Sequence, residues 1–291
     1  MKTGFLQTVI VAAFVLFASA TASQTLDDLL PLAEQGNAES QYELGMMYVN
    51  GEGVPQNNTE AVRWFQLAAE QGIAKAQYNL GVMYAGGAGV SQNDAEAVRW
   101  FQLAVEQDHA FAQYNLGVMH HAGRGVPQSD TEAARWYQLA AEQGHVEAQH
   151  NLAVMYVNGE GVPQNNTEAV RWYQLAAEQG DSSAQTNLGV MHHEGIGVPQ
   201  NYAEAARWHQ LAAEQGDAIA QYNLGAMYAN GEGVPQDNRE AYIWFSLAVA
   251  NGDAAAAPTR DNIGSYLSSA DRTAAQQEVA RRFELMRSPL P

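Results

Sequence analysis

The chain has 291 residues, a formal net charge of −18, 46 % apolar and 16 % charged residues, and no cysteine. That much apolar material supports a sizeable core and excludes a disordered chain. The missing cysteine excludes disulfides, thiolate metal sites, catalytic thiols and a lipid-modified cysteine, and the acidity argues against nucleic acid or anionic lipid as a partner.

In chain order, residues 1–22 read as a signal peptide. Lys2 supplies the positive start and Val9 to Phe17 the apolar stretch. Ala18-Ser19-Ala20 and Ala20-Thr21-Ala22 both fit a cleavage site, so removal is expected after Ala20 or Ala22. The alternative is a retained anchor, but the apolar run is short of the ~20 residues that a spanning helix needs. A periplasmic or secreted chain with no stable membrane span after cleavage is expected. Residues 23–32 read as a half-repeat that caps the N-terminal end. Aligning Ala33–Gly36 with Ala69–Gly72 puts Leu29 where Phe65 sits, with Asp28 as helix cap and Pro31 in the first turn.

Residues 33–248 repeat with a period of 36. Trp64, Trp100, Trp136, Trp172, Trp208 and Trp244 mark it, and Leu44, Met47, Gly51 and Ala61 each begin a row with the same step. A period of this length over six copies is the signature of stacked repeats. Each copy reads as two helices. Ala76, Leu80, Met83 and Tyr84 share one face of the first, with Gly81 on its flank where a neighbouring helix can come close. Gly86–Val90 ends that helix, and Asp94 is the expected cap of the second. Ala97, Trp100, Phe101 and Ala104 form the buried face of the second. Gly72 breaks the chain before the next copy, and Asp108 takes that place once. Neither helix can bury its apolar face alone, so the fold class is an all-α solenoid of helix-turn-helix repeats. Residues 249–291 read as a C-terminal helical cap, with Ala275, Val279, Phe283 and Met286 as its stripe and Arg281 and Arg282 on its solvated faces.

The unit from Ala33 to Ala68 carries Leu44-Gly45, Tyr48, Gly51-Glu52-Gly53-Val54-Pro55-Gln56, Glu60-Ala61 and Trp64. In these motifs it resembles the SEL-like repeat family, a relative of the tetratricopeptide repeats. The resemblance implies a right-handed α/α superhelix with the first helices on the concave side, and a role as adaptor or scaffold. Some cysteine-rich secreted members are linked to penicillin binding and weak β-lactam hydrolysis. A β-lactam- or cell-wall-directed hydrolase is therefore the alternative reading, although this chain lacks those cysteines.

Few residues suggest chemistry. The Gly51-x-Gly53 pairs follow a helix and lack a third glycine, so they read as turns and not as a phosphate cradle. Asn57-Asn58-Thr59 and Asn165-Asn166-Thr167 match a glycosylation acceptor but read as caps. His120 and His192 replace a core Tyr, and His121 and His193 face elsewhere, giving structural or surface roles with weak metal binding as the alternative. Glu60 and Arg63 begin a row of solvated ion pairs. No catalytic triad and no cofactor site is expected.

Ligands of tetratricopeptide repeats touch the positions equivalent to Glu39, Tyr42, Met46, Val49 and Asn50. The second position reads Tyr42, Tyr78, Tyr114, His150, Thr186 and Tyr222 down the stack. The third includes Val82, Val118 and Val154, and the neighbouring row includes Asn79, Asn115 and Asn151. An apolar floor with rings and amides suits a partner peptide or helix. The alternative is that the Tyr and Val rows only pack helix on helix.

Overall fold

The computed structural model describes residues 25–287, so the proposed signal peptide and cleavage sites lie outside the described residues. Among the described residues every regular element is helical. The first helices of the six repeats are α2 (Ala38–Asn50), α4 (Ala74–Gly86), α6 (Ala110–Ala122), α8 (Val146–Asn158), α10 (Ser182–Glu194) and α12 (Ala218–Asn230). The second helices are α3 (Asn58–Glu70), α5 (Asp94–Val105), α7 (Asp130–Glu142), α9 (Asn166–Glu178), α11 (Tyr202–Glu214) and α13 (Asn238–Ala250). Before them comes α1 (Leu26–Glu34). After them come a 3-10 turn at Ala254–Ala256, α14 (Ala257–Ser265) and α15 (Ser269–Arg287).

The chain forms two compact units. One runs to Ala148 and includes Glu160–Val162; the other holds Gln149–Gly159 and the chain from Pro163. In the first unit α1 to α7 pack in sequence, each on the next. In the second, α9 to α13 do the same, and α14 and α15 lie on α13.

Helix starts follow from side-chain oxygens. Asn93, in extended conformation at φ −150°, accepts from the Glu96 N–H at 3.2 Å and is the cap expected at Asp94. Asp94 is already helical and pairs with Arg124 of the next repeat at 2.7 Å. Asn57 and Asn165 are caps in the same way. At the N-terminal end the cap is Thr25, not Asp28. The Asp28 carboxylate accepts from the Thr25 backbone N–H and hydroxyl, so the helix begins three residues earlier and Pro31 falls inside it.

Close approach is built from glycine. The Phe101 ring lies on Gly81, where a Cβ would stand 2.6 Å from the ring. Gly89, at φ +71°, lies against the Asn58 backbone at the start of α3, so the Gly-x-Gly turn is also a contact between neighbouring repeats. Asp108 takes the left-handed position at φ 56°, which its glycine counterparts fill without a Cβ clash. Asp108→Gly is expected to raise stability by about 1 kcal/mol, read as a higher urea midpoint at unchanged helicity.

Five of the six Trp are buried, at 2 % to 4 % exposure, and only Trp136 is partly exposed. The end repeat is no looser. Trp64 is covered by Leu29 and Ala33 of α1. The Arg before each Trp stacks on its ring, as Arg63 does at 4.1 Å, while pairing with the Glu three residues earlier. The sixth copy has Ile243 there. Arg282 of α15, expected on a solvated face, instead turns inward, holds Glu240 through two 2.9 Å bonds and covers Trp244 at 5.0 Å.

A buried glutamine joins consecutive repeats. Gln77 is 5 % exposed, donates to the Ala69 carbonyl of the preceding copy at 3.1 Å, and accepts from Gln107 of its own copy at 3.0 Å. Gln41, Gln185 and Gln221 repeat this, with Ala33 of α1 receiving the first and Asn251 donating to the last.

Candidate functional site

The rows expected to meet a partner sit on the first helices, and the two units present them differently. In the first unit Tyr42, Tyr78 and Tyr114 are 7 %, 3 % and 9 % exposed. Val82, Val118, Asn79 and Asn115 are buried as well. The Tyr78 ring is stacked under His109 at 4.8 Å, and Tyr114 under His145 at 4.5 Å, with Phe111 edge-on to His145 at 4.7 Å. His109 and His145 occupy the residue just before α6 and α8, so each closes over the tyrosine of the first helix before it, in α4 and α6. The amides are engaged in the same way. Asn79 hydrogen-bonds Tyr42, and Asn115 hydrogen-bonds Tyr78. Burial pushes both phenols up to about 12 despite these bonds. The Tyr, Val and Asn rows of this unit therefore pack helix on helix.

The second unit is more open. His150, Asn151, Val154, Tyr222 and Asn223 are half-buried, and Val190 is 36 % exposed. His150 hydrogen-bonds Asp181 at 3.1 Å. Burial opposes ionisation of Asp181, but the bonds from His150 and the Ala184 N–H outweigh it and hold the carboxyl below its usual range.

Histidines fall into separate environments. His121 bonds Asp130 at 2.9 Å. His193 reaches Glu194 at 2.7 Å and Glu232 of the next copy at 3.0 Å. Burial works against its charge, but the bonds donated to Glu232 and then Glu194 prevail and raise its pKa. His120 and His192 are half-buried, and each has a buried Nδ1 without a hydrogen-bond partner. His209 is 1 % exposed, stands where Phe101 stands in its own copy, and also has a buried Nδ1 without a partner. Burial pushes its pKa down to about 4, with His193 adding to the effect. Among the described residues no three His, Asp or Glu side chains converge to hold a metal ion.

Sequence reasoning missed His109, Phe111, His145 and His209. For His209 the signal was present, since its row reads Phe65, Phe101, Tyr137, Tyr173, His209 and Phe245, whereas His109 and His145 share a row that varies from copy to copy, as does the row of Phe111.

Comparison with known proteins agrees with this architecture. The Sel1 repeat model matches residues 38–73, 74–109, 110–145, 146–181, 182–217 and 218–253. No curated protein sequence matches the chain. Among solved structures, one similar protein is a protective antigen present in uropathogenic Escherichia coli strains, displaying an SLR fold. It is 34 % identical at a TM-score of 0.65 over 89 % of this chain, which spans 63 % of that protein's chain. A Sel1 repeat protein from Oxalobacter formigenes is 34 % identical at a TM-score of 0.66, covering 77 % of this chain and 89 % of its own. Sel1 repeat proteins are generally protein-interaction scaffolds. With six matched repeats over most of its length, the chain belongs to the Sel1 repeat family.

Proposed function

We propose that this chain is an adaptor of the bacterial cell envelope that holds a partner peptide or helix against the first-helix face of its repeats. The observation that carries the reading is the open strip of the second unit, where Val154, Val190 and Tyr222 stand beside Asn151 and Asn223 without full burial. An apolar floor edged by amides suits a helix or an extended segment. In the first unit the same rows serve packing, so the reading there rests on no open strip. Nothing among the described residues favours the hydrolase alternative.

Export is tested by fractionation and N-terminal sequencing. The mature chain is expected to begin at Thr21 or Ser23, and intact Met1 in the cytoplasmic fraction overturns the envelope setting. The face is tested by placing a photo-crosslinking residue at Val190 or, on a second helix, at exposed Gln210, in cells that make the native partner. Crosslinking from position 190 and not 210 is expected, and Val190→Asp should weaken the interaction at least about tenfold. Crosslinking from position 210 alone moves the interface to the second helices.

A further inference from the structure

Four times, the residue just before a first helix meets the side chain 31 residues earlier. Ile73 packs in the cluster that holds Tyr42, His109 stacks on Tyr78, His145 stacks on Tyr114, and Asp181 hydrogen-bonds His150. The same residue is also the helix cap. Asn37, Asp181 and Asp217 each accept from the N–H three residues on with a side-chain oxygen, at 2.8 Å in the first and last. Ile73 makes no cap bond. In α6 and α8 the acceptor is an imidazole nitrogen. The Ala112 N–H donates to His109 Nδ1 at 3.3 Å, and the Ala148 N–H to His145 Nδ1 at 3.4 Å.

An imidazole fills this cap only while it is neutral. Nδ1 accepts through its lone pair, and a proton there turns the acceptor into a donor. The cation then faces the free N–H groups and the positive end of a helix. A stack on a tyrosine face favours a cation, but burial opposes it more strongly. His145 is 8 % exposed, and its Nε2 is buried without a hydrogen-bond partner. The groups that face His109 are Tyr78 and Lys75 of α4. Those that face His145 are Tyr114 of α6 and Glu147 of α8, the carboxylate 3.2 Å from Nδ1. Burial lowers both pKa values, with Lys75 adding to the effect at His109 and Glu147 opposing it at His145 without prevailing.

We propose that His109 and His145 are lids that a proton lifts: on acidification each ring leaves its helix cap and its tyrosine, and the first unit uncovers Tyr78 and Tyr114. The neighbouring lids do not answer to mild acid. Ile73 has no proton to take, and Asp181 keeps its charge because the bonds from His150 and the Ala184 N–H hold its carboxyl below the usual range against the effect of burial. Two adjacent lids of one chain therefore respond to acid between lids that do not. Use of the uncovered tyrosines by a partner rests on the adaptor reading above; the lifting of the lids does not.

The test uses the full mature chain. Amide exchange by NMR at pH about 7 and about 4.5 reads the caps. Protection at Ala112 and Ala148 is expected to fall at least about tenfold more than at Ala184 and Ala220, whose caps are Asp181 and Asp217. The limit for His109 is about 100-fold, since its pKa falls from 6.5 to about 4 and each pH unit inside that window shifts the equilibrium about tenfold. Hydroxyl-radical labelling reads the rings. Labelling of Tyr78 and Tyr114 should rise in acid, and that of Tyr42, under Ile73, should not. The double variant His109→Ile with His145→Ile copies the residue that precedes α4, so it should fold and should hold both readouts constant. Constant protection at Ala112 and Ala148, an equal fall at Ala184 and Ala220, an equal rise at Tyr42, or an undiminished response in the folded double variant overturns the proposal. Loss of helicity by circular dichroism over the same range overturns it too, because the opening would then be global. The two readings fail separately. Lids that lift with no partner crosslinked from position 190 remove the adaptor and keep the lids, whereas crosslinking from position 190 with lids that stay shut does the reverse.

Discussion

Trp100→Ala is expected to lose about 3–5 kcal/mol, the range for removing a buried Trp side chain. Trp100 is 4 % exposed and packs with Phe65, Leu80 and Met83, side chains of the first two copies, so the void opens where two repeats meet. Its indole N–H has no partner. Trp100→Phe therefore breaks no hydrogen bond and should retain most of the stability. Trp136→Ala is expected to be milder, because Trp136 is the partly exposed member of the row. Urea unfolding followed by circular dichroism measures all three. Equal losses at Trp100 and Trp136 would mean that burial of the ring does not set the contribution.

Acid is expected to weaken the second unit through His209 by roughly 3 kcal/mol between pH 6.5 and 4, since its pKa falls from 6.5 to about 4 at 1 % exposure. The unfolded chain takes up a proton near pH 6.5 that the folded chain refuses until near pH 4. The contribution is thus complete above 6.5, declines as pH falls through that window, and levels off below it. His109 also sits near 4, and burial lowers His145 despite Glu147, so the first unit should follow the same direction. His193 acts elsewhere. Its raised pKa gives stabilisation that is whole below 6.5 and is lost as pH rises through the raised value, so it does not offset the acid loss. His209→Phe should flatten the dependence of the second unit's unfolding midpoint between pH about 6.5 and about 4. An unchanged slope in that variant would show that His209 is not the group responsible.

The period of the Trp, Leu, Met and Gly rows made the repeat architecture legible, because packing demands recur wherever geometry recurs. The start of α5 was legible to within a residue, whereas α1 begins three residues before the cap read at Asp28. Asn93 and Asp94 both carry a suitable oxygen, and only the backbone conformation decides which caps. The fate of the binding rows was less legible. A tyrosine row facing a groove and a tyrosine row closed by its neighbour have the same periodicity. What separates them is contact between copies, as when Asn79 reaches Tyr42 and His109 covers Tyr78. Those pairings join positions on different helices that are far apart in sequence, and the periodicity of a single row does not contain them. The departures were visible all the same. Thr186 and His209 stand out as soon as their rows are written one under another.

The glutamine that ties α4 to the end of α3, and recurs at Gln41, Gln185 and Gln221, bears on how such a chain changes length over generations. Gln77 needs a carbonyl from the preceding copy and an amide from its own. Gain or loss of a whole 36-residue unit leaves a glutamine such as Gln41, Gln77, Gln185 or Gln221 between two such partners, because the amide donor recurs at the same step. Gain or loss of any other length strands at least one buried amide, a penalty of about 1–3 kcal/mol. The ends are already sealed, by Ala33 at one and Asn251 at the other. Unequal recombination between copies can therefore lengthen or shorten the protein in steps of one repeat while each product still folds, and the number of repeats becomes a property that inheritance can tune in whole units.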